Sequence, residues 1–148
     1  MSAFRFYLVR HAKAEPKSGE DAGRRLTAEG RARFAAHARA VAPDLTLSRV
    51  VTSPLARARE TAELLAAATG APVEEEAALA SGASSGADVL RLARSIGPGV
   101  ALVGHNPEVA EAVALAAGGD RDVPPGAIAA VDADGSGFRL AWLRAPMR

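Results

Sequence analysis

Along the chain, short dense apolar runs alternate with longer stretches whose apolar residues recur every three to four positions. Phe4 to Val9 is apolar apart from Arg5 and rich in aromatic and β-branched residues, which predicts a first strand. Residues 12–25 are polar and contain Gly19 and Gly23, so a surface loop is expected. Thr27 reads as a cap for a helix over "AEGRARFAAHARAVA", stopped by Pro43, with Phe34, Ala38 and Val41 spaced to face the core. Gly30 weakens that helix. "SRVVT", residues 48–52, predicts a short buried strand, and a helix follows from Pro54 to about Ala68, closed near Gly70. Its apolar stripe is Ala58, Thr61, Ala62, Leu65 and Ala68. Residues 72–76 predict a brief edge strand and 80–86 a loop. Asp88 to Ile96 then predicts a helix, "VALVG" at 100–104 a central strand, and Pro107 to Ala117 a helix ended by Gly118 and Gly119. "AIAAVDA" and "FRLAWLR", either side of "DGSG", predict a terminal hairpin. Strands and helices in alternation predict an α/β domain with a mainly parallel sheet.

Three of these strands end alike. "FYLV" runs into Arg10-His11, "RVVT" into Ser53-Pro54 with Arg57 close behind, and "ALVG" into His105-Asn106-Pro107. Ser53-Pro54 and Asn106-Pro107 each read as a cap followed by proline at the first helical position. In a parallel sheet such junctions share the carboxyl edge, where open α/β sheets bind ligands. Arg10, His11, Arg57 and His105 therefore converge if the strands are neighbours. Helix N-termini there add N–H donors and partial positive charge. Two arginines, two histidines and helix ends describe an anion site, with phosphate the natural anion. Each residue alone has a plainer reading. His11 could be a satisfied loop histidine and His105 a helix cap, while Arg57 could belong to a solvated face with Arg59 and Glu60. His37, amid alanines and arginines in mid-helix, is expected to be structural or exposed.

Composition narrows the picture. A chain of 148 residues predicts one domain, which at this size buries roughly 68–70% of its unfolded surface. A formal net charge of +1 gives no bulk attraction to nucleic acid or an anionic membrane. With no cysteine there can be no disulfide, thiolate metal site or cysteine nucleophile, which suits a cytoplasmic protein. No apolar run reaches the ~20 residues of a membrane span, and the N-terminus lacks the pattern of a signal peptide. Two histidines with no neighbouring carboxylate make a poor metal-ligand set. A monomer is expected, because no obvious apolar stripe is left once the core is assigned.

"LVRHAKA", "RRLTAEGRARF", "TSPLARARETA" and "LVGHNP", in that order, resemble the histidine phosphatase, or phosphoglycerate-mutase-like, superfamily. The match is closest to its small bacterial phosphohistidine phosphatase branch, the SixA type, and runs from Phe4 to about Ala117. The resemblance implies a three-layer α/β/α sandwich. It implies His11 as the nucleophile that forms a phosphohistidine intermediate, and Arg10, Arg57 and His105 as holders of the phosphoryl oxygens. It implies no metal or cofactor. Chemistry agrees: guanidinium neighbours disfavour a cationic His11, and a neutral imidazole keeps a lone pair for attack provided its other nitrogen has an acceptor.

Many members carry a Glu or Asp, after the helix that follows the second motif, to protonate the leaving group. Here that place holds Ala80, Ser81 and Gly82, while Glu74 to Glu76 lie earlier and read as a charged sheet edge. Without an acid, poor alkoxide leaving groups should react slowly, whereas the imidazole of a phosphohistidine can be protonated by other means. Protein phosphohistidine is therefore the expected substrate. The alternatives are a broad small-molecule phosphomonoesterase and a non-catalytic phosphate- or phosphoprotein-binding module. Lys13 and Lys17, just after His11, read either as an ordinary solvated loop or as an electrostatic collar that steers and binds phosphorylated substrate.

Overall fold

The computed structural model describes residues 3–16 and 23–147. Lys17, half of the expected collar, lies outside the described residues. In chain order the elements are β1 (Phe4–Arg10), α1 (Ala28–Val41), β2 (Arg49–Thr52), α2 (Ala56–Thr69), β3 (Val73–Glu75), α3 (Gly86–Ile96), β4 (Val100–Gly104), α4 (Glu108–Ala117), β5 (Ile128–Asp134) and β6 (Gly137–Arg144). The described strands form one sheet in the order β3-β2-β4-β1-β5-β6. β3, β2, β4 and β1 run parallel, while β5 and β6 form the antiparallel hairpin, which carries a bulge near Ala130 and Val131.

The apolar run of β1 explains its place in the middle of this sheet. Its side chains alternate, and both faces are covered. Phe6 and Leu8 pack with Val89, Leu90 and Ala93 of α3 and Val109, Ala112 and Val113 of α4. Tyr7 and Val9 pack on the other face with Phe34 and Ala38 of α1 and Ala58, Ala62 and Leu65 of α2. Two helical layers with the sheet between them make the three-layer α/β/α sandwich that the resemblance implies. The sheet order puts β4 between β1 and β2, in register Arg10↔Gly104 and Thr52↔Val103, so the three strands with the shared motif end side by side.

Helix boundaries differ from the sequence expectation. α2 begins at Ala56 with Leu55 in the cap position, and α4 begins at Glu108 after Pro107, so neither proline is the first helical residue. Ser53 does not cap α2 in the usual way. Its Oγ accepts the Leu55 N–H (3.2 Å), which leaves it at the sheet edge. Asn106 keeps a capping role, with Oδ1 accepting the Ala110 N–H (3.1 Å). α3 starts at Gly86 because Ser85 and Asp88 form a reciprocal capping box, so Asp88 is a first-turn residue. Gly30 has a positional reason: a Cβ there would lie 2.3 Å from the Lys13 carbonyl oxygen, so glycine lets α1 approach the segment after His11. His37 is buried in α1 and donates Nε2–H to the Arg144 carbonyl (3.2 Å), a structural role. β3 is the expected charged edge, with Glu74 and Glu75 exposed and paired to Arg49 (3.2 Å) and Arg59 (2.9 Å).

Candidate active site

Arg10, the last residue of β1, and His11, the first after it, are clamped through their backbones from two sides. His11 N–H donates to the Gly104 carbonyl at the end of β4 (3.0 Å), and Arg10 N–H to the Ala127 carbonyl (3.1 Å). Gly126 N–H lies 3.0 Å from both the Arg10 and the His11 carbonyl oxygens. Gly126 adopts φ +83°, and a Cβ there would meet Pro146 Cγ at 2.8 Å and Phe34 Cδ1 at 3.2 Å, so both backbone and space require glycine. Thr61 of α2 completes the clamp: its hydroxyl donates to the Arg57 carbonyl (2.8 Å) and accepts the Ala12 N–H (3.0 Å).

The four side chains named from the strand ends come together here. His11 is 7% exposed, and Arg57 and His105 are each 2% exposed. The His11 and His105 rings lie 5.2 Å apart between centroids, and Arg10 and Arg57 both act electrostatically on His11. The plain reading of Arg57 as a solvated helix face is thus corrected: Arg57, and Glu60 with it, are buried. His11 Nδ1 is 2.7 Å from the Ala12 carbonyl, which can only accept, so Nδ1 carries the proton and Nε2 keeps its lone pair. Burial lowers the His11 pKa to about 4, and the Arg57, Arg10 and Arg24 charges add to the depression against the Ala12 hydrogen bond. His11 is a neutral base at neutral pH.

His105 Nε2 shares a hydrogen bond with the Ser53 hydroxyl (2.8 Å), so the β2 and β4 ends are tied together. Arg10 spends one of its five N–H donors on the Val123 carbonyl (3.0 Å), which also accepts from Asn106 Nδ2 (3.1 Å). Burial lowers the Arg10 pKa, and Asp122 opposes that shift. Lys13 follows His11 by two positions. Its Nζ is exposed and paired with Glu29 (3.3 Å), and it lines a cleft of about 420 Å³ with Ala12, Phe34, Asp122 and Pro124. A larger cleft of about 820 Å³, lined along α4 by Pro107, Ala110, Ala114 and Leu115, contains none of the four, so size alone does not mark the site. At residues 80–82 the Gly82 N–H donates to Glu108 Oε2 (2.7 Å).

Sequence reasoning missed Ser53, Thr61 and Arg24 as members of this site. Periodicity places Thr61 only in an apolar stripe. Arg24 lies in a stretch read as loop, yet its Nε is buried and its charge reaches His11. The signal available for Arg24 was its place at the head of "RRLTAEGRARF", one of the segments that carry the resemblance.

What the arrangement can do is narrow. It offers one neutral imidazole nitrogen and several guanidinium donors in a desolvated pocket, which suits capture and in-line transfer of a phosphoryl group.

Comparison with known proteins agrees with this geometry. Residues 6–82 match the family model of the histidine phosphatase superfamily (branch 1). Among solved structures, a candidate phosphohistidine phosphatase SixA from Agrobacterium tumefaciens is 26% identical with a TM-score of 0.83, covering 97% of this chain and 99% of its own. A protein histidine phosphatase SixA complexed with tungstate is 24% identical with a TM-score of 0.83 over 97% of each chain. A mycobacterial glucosyl-3-phosphoglycerate phosphatase is 19% identical with a TM-score of 0.68, covering 95% of this chain and 98% of its own. No curated protein matches the sequence.

Proposed function

Because the chain belongs to the histidine phosphatase superfamily, we propose that it is a phosphatase in which His11 carries the phosphoryl group, acting on phosphohistidine in a protein. The observation that carries this reading is the Nδ1–H bond to Ala12, which leaves Nε2 unprotonated among arginines. In the first step Nε2 attacks phosphorus. A P–N bond forms to His11 as the P–N bond to the substrate imidazole breaks, and that imidazole leaves with a proton taken from solvent. In the second step water attacks phosphorus and the P–Nε2 bond breaks. Phosphate departs, and the water's proton is released to solvent. Arg10, Arg57 and His105 hold the three equatorial oxygens in both steps.

The substrate class follows from the leaving group. Residues 80–82 bring no carboxylate of their own, and the Glu108 carboxylate beside them already accepts the Gly82 N–H, so a leaving group that solvent can protonate is favoured over an alkoxide. The two SixA structures, one holding a tetrahedral oxyanion, support the same reading. A second reading, small phosphomonoesters, has its support in the glucosyl-3-phosphoglycerate phosphatase that shares the fold. No helix of the described residues is long and apolar enough to cross a membrane.

The test compares kcat/KM for a phosphohistidine-carrying protein and for a chromogenic phosphomonoester. Higher kcat/KM for the phosphoprotein is expected. A preference for the ester would favour the second reading. Tungstate binding with no turnover of either would favour a binding module.

A further inference from the structure

α2 delivers more than Arg57 to this site. One turn further on, Glu60 is 7% exposed and its carboxylate accepts four N–H donors. Oε1 takes the Leu26 N–H (2.8 Å). Oε2 takes Arg25 Nε (3.2 Å) and Nη2 (2.9 Å), and also the Arg31 guanidinium. Burial alone would raise its pKa, but these bonds outweigh burial and lower it, so Glu60 stays ionised.

Apart from Arg31 of α1, its partners lie on the segment that bears Arg24. That segment runs beside the residues after His11, with Glu15 N–H donating to the Arg25 carbonyl (2.8 Å), Thr27 N–H to the Lys13 carbonyl (3.0 Å), and Ala14 bridging Leu26. Leu26 is already in the apolar core, so the segment does not need a buried charge merely to stay folded. A buried carboxylate is a costly anchor, and its use here calls for a positional reason. Arg24 supplies one. It is adjacent to Arg25, its Nε is buried, and its charge acts on His11.

We propose that Glu60 is a positioning residue: by clamping Arg25 and Leu26 to α2 it fixes the reach of Arg24, so that a third guanidinium joins Arg10 and Arg57 around the bound phosphoryl group. This rests on the reading of the site as a phosphoryl site. One turn of α2 then serves the site three ways: Arg57 enters it, Thr61 holds Ala12, and Glu60 holds Arg25 and Leu26 next to Arg24.

The test uses tungstate affinity by calorimetry and the His11 imidazole titration by NMR in E60A, E60Q, R24A and E60A/R24A. E60A is expected to weaken tungstate roughly tenfold, short of the hundredfold that a 1 Å misplacement can cost. It should also raise the His11 titration midpoint in the same direction as R24A. The double variant should match R24A within about twofold, the scatter of ordinary additivity. E60Q keeps an acceptor for Leu26 and should recover most of the lost affinity. A purely structural Glu60 would lower Tm while leaving affinity and titration unchanged, or its loss would multiply with that of R24A; either result overturns the proposal. Should E60A not fold, E60D, too short to reach Leu26, takes its place with the same expectations. A wild type that binds tungstate but turns over no phosphate compound would refute the phosphatase reading and leave these two readouts to decide on Glu60.

Discussion

At the scale of single residues, the chemistry rests on a proton that His11 cannot move. Ala12 fixes it on Nδ1, and burial with three neighbouring guanidiniums keeps a second proton off Nε2. NMR titration should place the His11 midpoint near 4; an ordinary value near 6.5 would contradict the site as described. R57A should raise that midpoint and lower kcat/KM by roughly 10²–10³, as removal of a charge-stabilising donor does elsewhere. R57K should retain part of the activity, since it keeps the charge and loses the fork. Arg10, His11, Arg57 and His105 could be grouped from the sequence because Arg10, His11 and His105 sit at strand ends and Arg57 in the first turn of the helix that follows β2. Arg24 and Ser53 could not. They reach the site through long-range placement, and neither a half-buried arginine in a polar stretch nor a serine before proline announces it.

At the scale of elements, strands and their junctions were readable from hydrophobic periodicity, whereas sheet order and helix starts were not. Pro54 and Pro107 look like first helical residues, but the chain uses Ser53 to meet His105 and delays α2 to Ala56. The energetic consequence lies in the cross-ties. Thr61→Val leaves the buried Ala12 N–H without its acceptor, a loss expected to cost about 1–3 kcal/mol of stability. Because Ala12 also holds the His11 proton, kcat should fall more than KM rises; urea denaturation with steady-state kinetics checks both. Gly126→Ala meets a left-handed backbone and a 2.8 Å contact, so it should lower Tm and activity together.

At the scale of the whole molecule, the buried histidines link stability to pH. Both His11 and His37 have folded pKa values below their ordinary 6.5, so between pH 4 and 6.5 the unfolded chain binds more protons. Stability should therefore rise with pH across that window and level off above it. Glu60 and Asp132, with lowered carboxyl pKa values, act at more acidic pH in the same direction. Urea midpoints from pH 4 to 8 check this, and H11A should flatten the rise. The same buried, neutral His11 must become covalently phosphorylated if the molecule is the phosphatase proposed here. The most direct measurement is rapid acid-free quenching of the protein during turnover of a ³²P-labelled substrate, with H11A alongside. The expected result is a base-stable, acid-labile label on the wild type, none on H11A, and no turnover by H11A. Equal turnover by H11A, or a label that survives acid, would contradict it.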